Sequence, residues 1–317
     1  MSSEIDKLSK LKISKNESPC KDIKSIGWIY KINGSPHLGH FSGIMKVSKL
    51  ACAPETRIRI LLDDSDYEIK INTSRIDEHC LIVSDILKNI FKKLGLENVE
   101  FFRSSELRNS ESFVNDFYKL ISVTGENEAL EVLEKQEDVK MADLLKPVIK
   151  ILDSVLLNVD IVVHDNIGVY ELGNRILPLI KYKELSNIDN NIIFNSKNEK
   201  MSHHDKSLSI NVFDTEKNIE KKINKFFCEE GNLNCNILGI FENVIFPYYS
   251  RIEFEVRIVT KSEEVLNFEK YSELERIFLD KKCHPGDLKK GCVRLICEMF
   301  RSCVDENEKK KVNLIFK

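Results

Sequence analysis

The sequence predicts an α/β fold: a parallel sheet flanked by helices, followed by a mainly helical last third. Three observations lead there. Short apolar runs of strand length alternate with amphipathic stretches of helix length from Ser25 to about residue 194. Hydrophobic residues make up 42% and charged residues 31% of 317, enough apolar surface for one large or two medium cores. Beyond about residue 215 the strand-length runs give way to helical spacing.

Residues 1–22 are a polar extension with weak helical spacing at Ile5, Leu8 and Leu11. Residues 25–30 read as a buried first strand. Asn33-Gly34-Ser35-Pro36 is a turn, and a helix opens near Leu38 and runs to about residue 50. Residues 58–62 form a second strand that ends in Asp63, Asp64 and Asp66. Residues 80–94 are an amphipathic helix with Leu81, Ile86, Ile90 and Phe91 on one stripe, and 99–102 a third strand. Helices are expected over 112–123, 127–137 and 141–157. A fourth strand is expected at 159–163, a helix at 173–181, and a short extended piece at 192–194. Helices at 217–227, 241–246, 271–279 and 287–303 complete the chain. The organisation expected is an extension (1–22), a sheet-bearing domain (23–215) and a helical domain (216–317).

Charge and cysteine content narrow the function classes. A net charge of −3 announces no nucleic-acid partner, so any such surface must be a local basic patch. Nine cysteines, with no CxxC pair and no zinc-ligand spacing, read as reduced thiols of a cytoplasmic protein. The polar N-terminus carries no signal-peptide pattern, and no apolar run approaches the ~20 residues that span a bilayer.

Two distant segments carry the chemistry. Ser35-Pro36-His37-Leu38-Gly39-His40 places two histidines on a small-residue turn at a helix start. There, backbone N–H groups and the helix dipole favour phosphate. Gly39 permits close approach of a nucleotide. Lys200-Met201-Ser202-His203-His204 supplies a lysine on a loop, a compact charge on a flexible stem. The competing readings are a helix-start turn with solvated histidines and an ordinary charged loop. Both segments and the acidic cluster follow expected strands, so all three can meet at the strand carboxyl ends.

The pair resembles the HIGH and KMSKS signatures of class I aminoacyl-tRNA synthetases. Asn33-Gly34-Ser35-Pro36-His37 further resembles the Gly-Lys-Pro-His stretch of the archaeal and eukaryotic tyrosyl-tRNA synthetases. Phe226-Phe227-Cys228-Glu229-Glu230-Gly231-Asn232 resembles that family's Ala-Phe-Cys-Glu-Pro-Gly-Asn segment, and His284-Pro285-Gly286-Asp287-Leu288-Lys289 matches its His-Pro-Gly-Asp-Leu-Lys motif in full. The resemblance implies a Rossmann-type catalytic domain followed by a helical anticodon-binding domain, a homodimer, and no editing domain. It implies ATP-dependent activation of tyrosine and transfer to tRNA(Tyr), with Mg²⁺ held through ATP phosphates and water. His37, His40 and Lys200 would stabilise phosphate charge, with Gly39, Met201 and Ser202 lining the ATP site. Asp153 and Asp64 would hold the amino acid, and Asp287, beside His284, would read the anticodon. For Asp287 a helix N-cap role is the competing reading.

The chain departs from the family in the amino-acid pocket. Gly27 stands at the family's first-strand tyrosine and Ile29 at a glycine. Its Tyr-x-x-x-Gln-x-x-Asp helix reads Lys146-Pro147-Val148-Ile149-Lys150-Ile151-Leu152-Asp153, and its Gly-Gly loop reads His164-Asp165-Asn166-Ile167-Gly168. Two lysines would charge the pocket unless Asp63, Asp64, Asp66 or Asp153 neutralises them. Tyr30, Tyr67, Asp64 and Asp165 are candidate replacements. The alternative function is a catalytically lapsed paralogue that serves as a tRNA-binding or dimer-partner module.

Overall fold

The computed structural model describes residues 23–32, 34–64, 76–133, 138–202 and 205–304. The N-terminal extension, Asn33, Asp66, Tyr67, residues 134–137, His203 and His204 lie outside the described residues.

Five parallel strands form the sheet: β1 (Ser25–Lys31), β2 (Arg57–Asp63), β3 (Val99–Arg103), β4 (Ile161–His164) and β5 (Asn187–Asp189), in the order β3-β2-β1-β4-β5. β1 pairs with β2 along its whole length, from Ser25 opposite Arg57 to Lys31 opposite Asp63, and with β4 from Ile26 opposite Ile161. The strand order reverses between β1 and β4, so a crevice opens beyond their carboxyl ends.

The helices between the strands are α1 (Leu38–Leu50), α2 (Ile76–Lys93), α3 (Ser104–Arg108), α4 (Glu111–Val123), α5 (Glu126–Glu131), α6 (Met141–Leu156) and α7 (Ile167–Ile176). Side chains alternate across β1. Ile26, Trp28 and Tyr30 join the main core with Phe41 and Ile44 of α1 and Ile86 and Ile90 of α2. A second core on the other side gathers Phe113 and Leu120 of α4, Val148 and Ile151 of α6, and Val169 and Tyr170 of α7.

The remainder contains α8 (Glu216–Asn224), α9 (Asn236–Ile240), a π-turn (Phe241–Ile245), α10 (Phe246–Arg251), an antiparallel pair β6 (Val256–Val259) and β7 (Val265–Phe268), α11 (Tyr271–Leu279) and α12 (Pro285–Cys303). The main core runs on into this region without a break. Phe41 of α1 meets Phe300 of α12 with ring centroids 5.3 Å apart. Among the described residues no helix is long and apolar enough to cross a membrane.

Several expectations shift. Leu81 is exposed rather than on the apolar stripe of α2, which Cys80, Val83, Ile86, Leu87 and Ile90 build instead. The helix expected at 173–181 is α7, which starts at Ile167 because Asn166 caps it by accepting from the Val169 amide at 3.2 Å. Only a 3₁₀ turn, Leu177–Ile180, follows it. The last strand of the parallel sheet is Asn187–Asp189, whereas Phe194 makes one isolated bridge to Lys200. The short helix expected at 241–246 is the middle of a longer run broken only by the π-turn.

Candidate active site

The turn after β1 is a folded unit. His37 is the N-cap of α1, and its Nδ1 accepts from the Gly39 amide at 3.1 Å. The His37 amide donates in turn to His40 Nδ1, also at 3.1 Å. Because both Nδ1 atoms accept, the donor of each ring is its Nε2. The rings lie 3.8 Å apart, with His40 resting on the ring of Tyr30 at 4.6 Å. Tyr30 is buried, and its hydroxyl has no hydrogen-bond partner. Burial drives that phenol far above its ordinary pKa, so the ring under His40 stays neutral.

The downstream segment packs against this turn. A β-carbon built on Gly39 would lie 2.9 Å from His37 Cε1, 3.0 Å from its Nδ1 and 3.4 Å from Met201 Cβ. Gly39 is therefore required by its neighbours as well as by any ligand. The chain after Met201 closes over the same turn: Leu38 donates to the Ile210 carbonyl at 2.8 Å, Val212 donates to that of Pro36 at 3.1 Å, and Asn211 bridges to His37. The two signature segments thus share one place at the carboxyl end of β1.

Lys200 stands on a small hairpin. Met201 donates to the Ile193 carbonyl and Asn195 to that of Glu199, both at 2.8 Å. Asn195 Oδ1 accepts from Lys197 and Glu199, and Asn236 of α9 donates to the Asn195 carbonyl and to Asn198 Oδ1. Met201 is buried, Ser202 half-buried, and the Lys200 ammonium lies 2.6 Å from Asp165 Oδ2.

Asp153, expected to hold the amino acid, is bound by an arginine. Asp153 of α6 is fully buried and paired on both oxygens by Arg108 of α3: Nε donates to Oδ1 at 3.0 Å and Nη2 to Oδ2 at 2.5 Å. Arg108 Nη2 also lies 3.4 Å from Asp63 at the end of β2. Burial pushes the Asp153 carboxyl up to about 6, against the pull of Arg108. Nothing in the sequence singled out Arg108, because α3 is too short to read as a helix and its acidic partners are distant.

Asp64 does not face the crevice as expected. It is fully buried and accepts from Ser104 Oγ (2.6 Å), Ser105 Oγ (2.7 Å), the Ser105 amide (3.0 Å) and Arg103 Nε (3.1 Å). Burial opposes its charge, but these four donors outweigh that and hold the carboxyl below its ordinary pKa. Asp64 thus fixes the start of α3.

The two pocket lysines separate. Lys146 pairs with Asp143 one helical turn away at 2.6 Å, on the exposed side of α6. Lys150 lies within electrostatic reach of Asp153, Asp165 and His164. Gly27 is closely packed: a β-carbon there would lie 2.8 Å from Val159 Cγ2 and 3.0 Å from Leu157 Cδ1.

At the start of α12 the N-cap is His284, whose Nδ1 accepts from the Gly286 amide at 3.0 Å; it is not Asp287. Pro285 occupies the first helical position, which needs no amide donor. His284 is exposed, whereas Asp287 is 4% exposed in the first turn. Lys289 is committed to the chain, donating to the carbonyls of Asn224 (3.2 Å), the last residue of α8, and Phe226 (2.6 Å) just after it.

Comparison with known proteins agrees with this layout. The family described as tRNA synthetases class I (W and Y) matches residues 33–301. A protein of Encephalitozoon cuniculi, described as "Probable tyrosine--tRNA ligase, cytoplasmic", is 30% identical over 296 residues, covering 90% of this chain and 88% of that one. The tyrosine–tRNA ligase of Methanococcoides burtonii is 29% identical over 280 residues, 86% of each chain. The fold is shared with the tyrosyl-tRNA synthetase of Archaeoglobus fulgidus, solved with L-tyrosine, at a TM-score of 0.76 and 24% identity over 93% of this chain and 92% of that one. With the family signature spanning both halves of the crevice, the chain belongs to the class I aminoacyl-tRNA synthetases, as a tyrosyl-tRNA synthetase of the archaeal and eukaryotic type.

Proposed function

We propose that the chain is a tyrosine–tRNA ligase. The tyrosine carboxylate attacks the α-phosphorus of ATP, pyrophosphate leaves, and the tyrosyl group passes from the adenylate to tRNA(Tyr). The observation that carries this reading is the packing of Met201 against Gly39, which puts the lysine hairpin beside the two histidines.

Negative charge gathers on the phosphates as pyrophosphate departs, so donors aimed there lower the barrier. His37 and His40 serve through Nε2, their Nδ1 atoms being held by backbone amides. Lys200 and Ser202 complete the phosphate side, with Gly39 and Met201 shaping the floor. Mg²⁺ arrives with ATP and keeps phosphate and water as its ligands. Arg108 forms the polar end of the amino-acid pocket, and Asp153, with both oxygens taken by Arg108, acts there by holding it. Asp64 has no part in it, since its oxygens are already committed.

The same reading takes residues 23–215 as the catalytic unit and 216–317 as the anticodon unit, joined by a continuous core. His284 offers the exposed edge of the anticodon turn. Asp287 reaches a base only if its buried first turn opens. A homodimer belongs to this reading through the resemblance to the family. The cytoplasm is the compartment in this reading.

The test is tyrosine-dependent exchange of pyrophosphate into ATP. Exchange that His40→Ala and Lys200→Ala abolish supports the ligase. Absence of exchange, with tRNA binding retained, would identify a lapsed tRNA-binding paralogue instead.

A further inference from the structure

Asp165, which pairs with Lys200, stands in the loop where the resemblance leads one to expect Gly-Gly. Asp165 follows the last residue of β4 and precedes the N-cap of α7, so its backbone is held from both sides. His164 before it is buried, stacks on Tyr170 with centroids 3.9 Å apart, and contacts Asn187 at 3.0 Å. Asn166 after it caps α7 and contacts the Val132 carbonyl. Asp165 is thus a fixed post on the β4 side of the crevice, with the histidines on the β1 side.

The ammonium of Lys200 is seated on that post at 2.6 Å. A lysine that neutralises pyrophosphate beside His37 and His40 must first leave it. We infer that Asp165 is a positioning residue that parks Lys200 in the ATP-free chain and releases it when the nucleotide binds. The inference rests on the ligase reading only in assuming that ATP occupies the crevice.

The exposure of the pair sets the size of the effect. The side chains are 39% and 46% exposed, so the pair is screened and weak. An exposed pair of this kind biases the free lysine by a factor of about two to five, and ATP affinity falls by the same factor while the lysine is parked. Lys150 also faces Asp165, as does His164. Burial works against the Asp165 charge, but Lys200 and then Lys150 outweigh it and keep the carboxyl ionised at neutral pH.

The experiment is equilibrium binding of ATP, without amino acid, to the full chain. Asp165→Asn should tighten ATP about two- to five-fold, and Asp165→Glu should restore wild-type affinity. In a Lys200→Met background, Asp165→Asn should produce no gain. Unchanged or weaker binding by Asp165→Asn overturns the inference. So does a gain that persists in the Lys200→Met background, because that would be general removal of negative charge near phosphate. If Asp165→Asn does not fold, Asp165→Ser replaces it in the same comparison. Because no turnover is measured, a failed exchange assay would overturn the ligase reading and leave this result standing.

Discussion

Gly39→Ala should damage the site more than its one carbon suggests. The new methyl would lie 2.9 Å from His37 Cε1 and 3.4 Å from Met201 Cβ. Carbon atoms rest at about 3.5–4.0 Å, so the His37 ring must retreat by roughly 0.6–1 Å or the helix start must shift. Retreat breaks the Nδ1 bond that caps α1, at about 1 kcal/mol, and overpacking adds about 1–3 kcal/mol. A displacement near 1 Å in a group aimed at the reacting phosphate costs on the order of 10²-fold in rate. Pyrophosphate exchange and a thermal melt on the same sample measure both terms. Exchange within about twofold of wild type would refute the reasoning, since it would mean that the His37 donor position does not matter.

Asp153→Asn should flatten part of the pH dependence of stability. The carboxyl ionises near pH 4 in the unfolded chain and at about 6 in the folded one, so the unfolded chain sheds its proton first. Stability from this group therefore falls as pH rises between those values and is constant above them, a loss of roughly 3 kcal/mol. Urea unfolding at both ends of that window should show the wild type losing more than the variant. Asp64→Ala should cost about 1–3 kcal/mol, because the buried Ser104 hydroxyl and the Ser105 donors lose their acceptor while Arg103 keeps Asp77; thermal or urea unfolding reads it. Lys146→Ala should change stability by less than about 0.5 kcal/mol and leave the KM for tyrosine unchanged, since its charge is spent on an exposed i,i+3 pair.

The sheet was legible in the sequence because buried parallel strands announce themselves as short apolar runs, and all four of the clear ones fall within two residues of their expected positions. The β6–β7 pair was not, since its connection through Thr260 and Glu263 carries no Asn-Gly or Gly turn signal. In the site, the two signature segments were legible because each pattern is local. Asp63 and Asp153 were legible as acids, but not as partners of Arg108, because nothing local marks a pairing between α3, β2 and α6. The two substituted lysines looked alike in sequence, yet the turn geometry of α6 sends Lys146 to Asp143 and leaves Lys150 facing the crevice acids. The competing N-cap reading of Asp287 fails because the preceding His-Pro-Gly moves the cap to His284.

The central claim is that the histidine turn and the lysine hairpin form one site that activates tyrosine. Exchange of labelled pyrophosphate into ATP, run with each amino acid in turn on the wild-type chain, tests it most directly. The account predicts exchange with tyrosine, lost in His40→Ala and in Lys200→Ala. Exchange with no amino acid, or exchange undiminished in those variants, would contradict it.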